Sequence, residues 1–398
     1  MAKTQKKSAK KAFPKPPAII YYPAIFFVWL YFKLKYRVTI DKSAVKKIKE
    51  PSLILSNHLS DRDHYLTALA LFPIRPTFVL SAHFMMKKAL RPILNAMHVI
   101  TKRMFDADAG SVLNIMRATR AGNCVVMFPE GRLTWYSHSM RVTEGTAELV
   151  KKLKTDVYRI VPEGAALTFP KWAKKPRRGK ITVRIEPLFT ADEIKELSVE
   201  EIYLRMANTF RHDDELACRG IRYKSADTAL GLDGILYKCP ICKGEHTLKT
   251  ENSRIKCDCG LDAALRDDYV IENAPFDSIG KWYEWQYSEL DISSPLESTV
   301  SVGAADENGI MIRGAGGGKC RLDSEFFTFD GTVFDEQISF SVPTADIPAV
   351  PITVADRFDV YHDGKLYNFT PTPDPRQTVK WAIYFDRLTD ERIGTRGK

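Results

Sequence analysis

The sequence predicts an α/β domain built on a mostly parallel sheet flanked by helices. A compact cysteine unit and a small β-rich domain with a terminal helix follow it. Three observations carry this reading. Between about residues 51 and 215, short apolar runs alternate with amphipathic stretches, the pattern of strands joined by crossover helices. Four of the seven cysteines fall between positions 239 and 259. Beyond them the chain changes to short alternating segments broken by Gly-, Asp- and Pro-rich turns.

In chain order, Leu53-Ile54-Leu55 is a buried strand that ends in polar Ser56-Asn57-His58. Tyr65 to Leu71 is helix-prone, and Pro73 and Pro76 close it before a second strand, Thr77 to Leu80. Ser111 is the expected cap of a helix carrying Val112, Ile115, Met116 and Thr119 at helical spacing, and Gly122 ends it. Cys124 to Phe128 is a third strand, stopped by Pro129, with Cys124 as inert core. A helix from Thr143 to Lys154 and strands at Val157–Val161 and Ile181–Ile185 complete the domain. Sites in such sheets gather beyond the carboxyl ends of the strands. In the C-terminal part, Asp363-Gly364 is a hairpin turn between Phe358–Tyr361 and Leu366–Phe369. Gln377 to Leu388 reads as the terminal helix, with Val379, Ile383 and Phe385 inward. The implied units are 1–40, a basic tail and aromatic segment; 41–230, the α/β domain; 231–265, the cysteine unit; and 266–398, the β-rich domain.

The formal charge of +10 is unevenly spread. Residues 1–50 carry 13 basic and 2 acidic side chains, whereas 261–398 carry 13 basic and 24 acidic, so the two ends bear +11 and −11. A uniformly basic polyanion binder is excluded. Six lysines precede the 17 uncharged residues Pro16 to Phe32, and Lys33, Lys35 and Arg37 follow them. The uncharged stretch holds seven aromatic residues, including Tyr21, Tyr22, Phe26, Phe27 and Trp29. Aromatics flanked by lysines suit the headgroup layer, where each basic residue adds about 1 kcal/mol of attraction to an anionic leaflet. The expectation is a membrane-associated protein on the cytoplasmic face, in contact with an anionic membrane surface, its acidic C-terminal third turned away. Lys171 to Arg184 holds seven basic residues and no acid, either a solvated face or, with Trp172, a headgroup contact.

Two polar segments follow two apolar strands: Asn57-His58-Leu59-Ser60-Asp61-Arg62-Asp63 and Phe128-Pro129-Glu130-Gly131-Arg132-Leu133-Thr134. Alone, each reads as a solvated helix start or a salt-bridged turn. Chemically, a histidine near a carboxylate is a general base, and a Gly-bearing turn with arginine offers donors to a phosphate. Together, His58-x4-Asp63 and Phe128-Pro129-Glu130-Gly131 resemble blocks I and III of the glycerolipid acyltransferase family. Val99 to Arg103 resembles its second block and Val157 to Pro162 its fourth, and all four occur in order.

The resemblance implies transfer of a fatty acyl group from acyl-CoA or acyl carrier protein to a lysophospholipid, foremost 1-acyl-glycerol-3-phosphate. Lysophosphatidylethanolamine, another lysophospholipid or glycerol 3-phosphate are the alternative acceptors. His58 would be the general base and Asp63 its orienting partner; Arg103, Glu130, Gly131 and Arg132 would bind substrate. Three departures stand out. Asp61 lies two residues before Asp63, Met97 stands where block II usually begins with glycine, and Arg132 sits one position early, with Leu133 in its usual place.

Cys239-x2-Cys242 and Cys257-x-Cys259 resemble a zinc ribbon, four thiolates around a structural ion, with His246 in the intervening loop either a substitute ligand or, as is commoner for a lone histidine, a bystander. A closed site of this kind leaves no open coordination position. Residues 266–398 read as a small β-barrel or a module of the pleckstrin-homology kind, with a regulatory or protein-contact role. The rival from another class is a nucleic-acid-binding protein, resting on the basic tail and cysteine unit. It leaves the four ordered blocks unexplained, so no nucleic acid is expected as partner.

Overall fold

The computed structural model describes residues 13–104 and 108–396. The lysines at 3, 6, 7, 10 and 11 lie outside them, so the basic tail is carried forward only from Lys15. The first sheet has seven strands: β1 (Arg37–Ile40), β2 (Leu53–Ser56), β3 (Thr77–Ser81), β4 (Ile100–Lys102), β5 (Val125–Met127), β6 (Val157–Glu163) and β7 (Lys180–Phe189). Their spatial order is β1-β7-β6-β2-β5-β3-β4. Every neighbouring pair is parallel except β6 with β7. The central strands are fully buried because helices cover both faces, which is why Leu53-Ile54-Leu55 and Val125-Val126-Met127 are continuous apolar runs. The fold class is the one the sequence predicts.

Local chemistry sets the details. The helix Ala109–Arg120 is capped by Asp108, not Ser111: Asp108 Oδ1 accepts the Ser111 N–H at 3.0 Å. A carboxylate three residues upstream satisfies the orphan amide directly. Cys124 is fully buried, and burial pushes its thiol up to about 12, as suits inert core. The helix Ala18–Lys35 packs Tyr21, Ile25, partly Val28, and Phe32 inward, a 4-3-4 stripe. It leaves Ile19, Phe26, Phe27, Trp29, Tyr31 and Leu34 exposed. It is long and apolar enough to cross a membrane. Its start lies by the end of the helix Asp63–Leu71, with the Tyr22 ring 6.0 Å from Phe72. Its end, at Tyr36, lies in the field of Asp61 and Arg62.

A four-stranded antiparallel sheet follows, with β8 (Lys249–Glu251), β9 (Arg254–Lys256), β10 (Asp262–Leu265) and β11 (Ile271–Glu272) in consecutive order. The last sheet is antiparallel throughout: β12 (Leu296–Ala305), β13 (Met311–Leu322), β14 (Phe326–Val333), β15 (Glu336–Pro343), β16 (Ile352–Thr353), β17 (Arg357–His362) and β18 (Lys365–Thr372). Two meanders join through β12 and β18, giving the order β15-β14-β13-β12-β18-β17-β16. The helix Thr378–Arg396 buries Val379, Ile383 and Phe385 completely against this sheet.

One continuous core runs from Trp135, Leu167 and Trp172 of the α/β domain through the cysteine unit into the C-terminal sheet. Trp172 therefore packs inside rather than against headgroups. Arg177 is likewise buried, between Trp172 and Tyr269, so the 171–184 run is only partly a surface.

Candidate active site

β2 and β5 are adjacent and parallel, so the loops leaving their carboxyl ends lie side by side. This brings together two segments about 70 residues apart. The β2 loop, Asn57 to Arg62, wraps round the Asp63 carboxylate, the first residue of its helix. Asp63 is fully buried. Its Oδ2 accepts the Ser60 backbone N–H at 2.8 Å, its Oδ1 accepts the Ser60 hydroxyl at 2.6 Å, and His58 Nδ1 lies 3.1 Å from Oδ2. Burial pushes this carboxyl up, while the His58 and Ser60 hydrogen bonds pull it back. The His58 ring stacks on Phe128 at 4.2 Å between centroids, which fixes its plane. Held through Nδ1, the imidazole keeps Nε2 for chemistry, with no hydrogen-bond partner among the described residues. His64, on the helix's first turn, is different: burial first, then the charges of His58 and Arg62, hold it down to about 4, a neutral packing ring.

Glu130 is buried beneath this loop. Its Oε1 accepts the Asn57 side-chain amide at 2.9 Å and its Oε2 accepts the His58 backbone N–H at 3.1 Å. Arg159, on β6, donates twice to Asn57 Oδ1, at 2.9 and 3.1 Å. Burial raises Glu130 to about 8, against those two donors. Glu130 thus clips the catalytic-type loop of β2 to the loop of β5. Gly131 takes a positive φ of 71°, the turn geometry that lets Thr134 N–H reach the His58 carbonyl.

Arg103 follows β4 at the same sheet edge, three strands from β2, or about 14 Å at 4.8 Å per strand. Arg132 has another task from the one expected. Its guanidinium is buried over the Trp135 ring, Nη2 lies 2.5 Å from Asp386 Oδ2 on the terminal helix, and Nη1 donates to the Val350 carbonyl. Displaced one position from the usual site, this arginine ties the α/β domain to the C-terminal domain instead of being presented to a phosphate.

Residues 36–163 match the family model described as Acyltransferase. This segment is an acyltransferase-family domain. Among solved structures, a similar one is the 1-acyl-sn-glycerophosphate (LPA) acyltransferase PlsC from Thermotoga maritima. It shares 16% identity over 48% of this chain and 78% of that chain, with a TM-score of 0.39.

The domain also uses residues to which the motifs assigned no role. Asn57 bridges Glu130 and Arg159, Ser60 supplies two of the donors to Asp63, and Phe128 backs the histidine. Arg159 carried a signal in the sequence, a lone cation within the apolar run Val157–Val161.

The second candidate site is the cysteine unit. The sulfurs of Cys239, Cys242, Cys257 and Cys259 all lie within 4.8 Å of one another. Cys239 and Cys259 are 3.7 Å apart, Cys242 and Cys257 3.8 Å, and none forms a disulfide. A tetrahedron with metal–sulfur bonds of about 2.3 Å has edges of about 3.8 Å, so the four thiolates fit a metal ion. His246 stays outside the group. It turns its ring towards Tyr237, 5.7 Å between centroids.

Proposed function

We propose that this protein transfers a fatty acyl group from acyl-CoA or acyl carrier protein to the free hydroxyl of a lysophospholipid, foremost 1-acyl-glycerol-3-phosphate. The observation that carries the reading is the His58–Asp63 pair, an imidazole 23% exposed and held at 3.1 Å by a fully buried carboxylate. His58 Nε2 takes the proton of the acceptor hydroxyl as its oxygen attacks the thioester carbonyl. The C–S bond breaks, and the leaving thiolate recovers the proton from His58. Asp63 holds the Nδ1–H tautomer and stabilises the imidazolium. A base placed this way supplies about 10²–10⁴-fold in rate.

Glu130 and Gly131 act chiefly by shaping the β2 and β5 loops, and Arg103 is the cation at the substrate end of the sheet. The exposed aromatic face of the Ala18–Lys35 helix supports association with the cytoplasmic surface of an anionic membrane. The four-cysteine unit would hold zinc as a structural ion.

The test is purified protein with labelled acyl-CoA or acyl carrier protein against a panel of lyso-acceptors and glycerol 3-phosphate. A loss of about 10²–10⁴-fold in acyl transfer by His58→Ala is expected. Full turnover in that variant, or no transfer to any acceptor by the intact protein, refutes the reading.

A further inference from the structure

The loop that supports His58 is gripped from outside the matched acyltransferase segment. Thr134 N–H reaches the His58 carbonyl at 3.1 Å, and the next four side chains all find partners beyond residue 163. Trp135 Nε1 donates to the Tyr283 hydroxyl at 2.9 Å, and the Tyr136 ring stacks on Tyr283 at 3.8 Å. The Ser137 hydroxyl donates to Glu215. His138 is held on both sides: Nε2 lies 3.2 Å from Asp213 Oδ2, and Nδ1 lies 3.0 Å from Glu284 Oε1. Asp213 caps the short helix Asp214–Ala217, and Tyr283 and Glu284 stand on the helix Ile279–Ser288.

An imidazole with a carboxylate at each nitrogen has to donate through both, and only the protonated ring carries two N–H groups. The helix comes this close because position 280 is glycine: a Cβ on Gly280 would overlap the His138 ring. Glu215 completes the contact, its Oε2 accepting the N–H of Ile279, the first residue of that helix, at 3.1 Å. Burial pushes the Glu215 carboxyl up to about 7, against the Ser137 hydrogen bond and the His138 charge. Burial alone would hold the His138 ring down, but Asp213, and then Glu215 and Glu284, raise it. Among the described residues His138 is the only cation paired with Asp213 or Glu284, and Glu215 pairs with none. The other charges around the contact are engaged elsewhere. Lys281 pairs with Asp277 at 2.7 Å, and Arg132 is committed to Asp386. Asp214 takes His212 Nε2 at 2.8 Å and the N–H groups of Gly164 and Ala166. The Tyr136 and Tyr283 hydroxyls are raised by burial and stay neutral.

We propose that His138, as an imidazolium held between Asp213 and Glu284, is a positioning residue that clamps the helix Ile279–Ser288 to the β5 loop framing His58, and that losing its proton loosens that frame. With the ring neutral, the carboxylates of Asp213, Glu215 and Glu284 face one another without a cation. Both raised groups bind their protons more tightly in the fold, so the clamp is strongest in acid. The Glu215 contribution is complete below about 4.5 and lost as pH rises through about 7. The His138 contribution is complete below 6.5 and lost as pH rises through its higher folded value. The inference rests on the acyl-transfer reading only for its effect on turnover.

The test is hydrogen exchange of the full-length protein at about pH 6 and about pH 9, corrected for the chemical rate and read at the amides of 134–139 and 279–284. Protection is expected to fall about tenfold or more across this range in the parent and to be equal at both pH values in His138→Gln. By nuclear magnetic resonance the His138 ring should titrate above 6.5 in the parent and lower in Glu284→Gln, a change at a side chain 61% exposed that spares the fold. In the acyl-transfer assay, kcat of the parent should show an alkaline fall that His138→Gln lacks, with acceptor KM little changed. Equal protection of the parent at both pH values, a ring that titrates at or below 6.5, or a titration that Glu284→Gln leaves in place would overturn the proposal. An alkaline fall in kcat shared by His138→Gln removes the positioning role. A protein with pH-dependent protection that transfers no acyl group keeps the clamp and removes only the acyl-transfer reading.

Discussion

Replacing Arg132 by leucine separates a substrate contact from a structural tie. In the structure the Arg132 and Asp386 side chains are only 7% and 12% exposed, 2.5 Å apart, and one Asp386 oxygen has no other partner. Removing either member leaves a buried charge alone, which costs about 3–5 kcal/mol. The guanidinium's place over Trp135, 4.8 Å from the ring centroid, adds to the loss on the arginine side. At roughly 2–4 °C per kcal/mol, each single variant should melt roughly 6–20 °C lower. The pair Arg132→Leu/Asp386→Leu removes both charges and should recover much of that loss, because matched apolar groups replace a buried ion pair at little cost. Differential scanning calorimetry of the four proteins closes the double-mutant cycle, and the acceptor KM of each folded variant is measured beside it. An Arg132→Leu protein that melts like the parent but shows a tenfold higher acceptor KM would refute the tether and restore Arg132 to the substrate.

Other outcomes are expected from the same geometry. His58→Ala should lose about 10²–10⁴-fold in turnover with an unchanged melting temperature, read by single-turnover acyl transfer. Asp63→Asn removes the carboxylate that orients the imidazole, so kcat should fall more than acceptor KM rises; equal retention of both parameters would exclude that role. Glu130 titrates near 8 in the fold against an ordinary 4.5, so its protonated form stabilises the protein. That contribution is complete below about 4.5 and lost as pH rises through about 8, and the melting temperature should fall with pH across this window more in the parent than in Glu130→Gln. Metal analysis should find one ion per chain, and Cys257→Ser should abolish it and loosen the cysteine unit to proteolysis; a stoichiometry near zero in the parent would reject the site.

The α/β class was legible because buried parallel strands are written as apolar runs, unbroken in β5 and in Leu53–Leu55 of β2 and interrupted in Val157–Val161 of β6 by Arg159 alone. The strand Arg37–Ile40 escaped notice because it lies at the sheet edge with an alternating, half-exposed pattern. His58 and Asp63 could be paired because five residues of chain fix their distance. The role of Arg132 could not be read locally, since its partner Asp386 lies 254 residues downstream. The basic run at 171–184 misled for the same reason. A cation such as Arg177, enclosed by Trp172 and Tyr269, looks in sequence like any solvated arginine. The cysteine unit was readable despite its short second knuckle, because two close cysteine pairs are enough to bring four sulfurs within 4.8 Å of one another.

The aromatic helix is packed antiparallel to the helix that begins with Asp63, with its last turn beside the Asp61–Arg62 corner. An 18-residue helix is about 27 Å long, and its neighbour of nine residues about 13 Å. Under the proposed function, such a contact would work as a depth gauge. With the exposed rings seated among lipid headgroups, the imidazole would stand at one fixed height above the acyl chains. The hydroxyl that reacts would then be the one whose natural depth in the leaflet matches that height, so regiochemistry would be a matter of altitude as much as of contacts. Lengthening the helix would change which carbon of a glycerol backbone meets the base, without altering any residue around it.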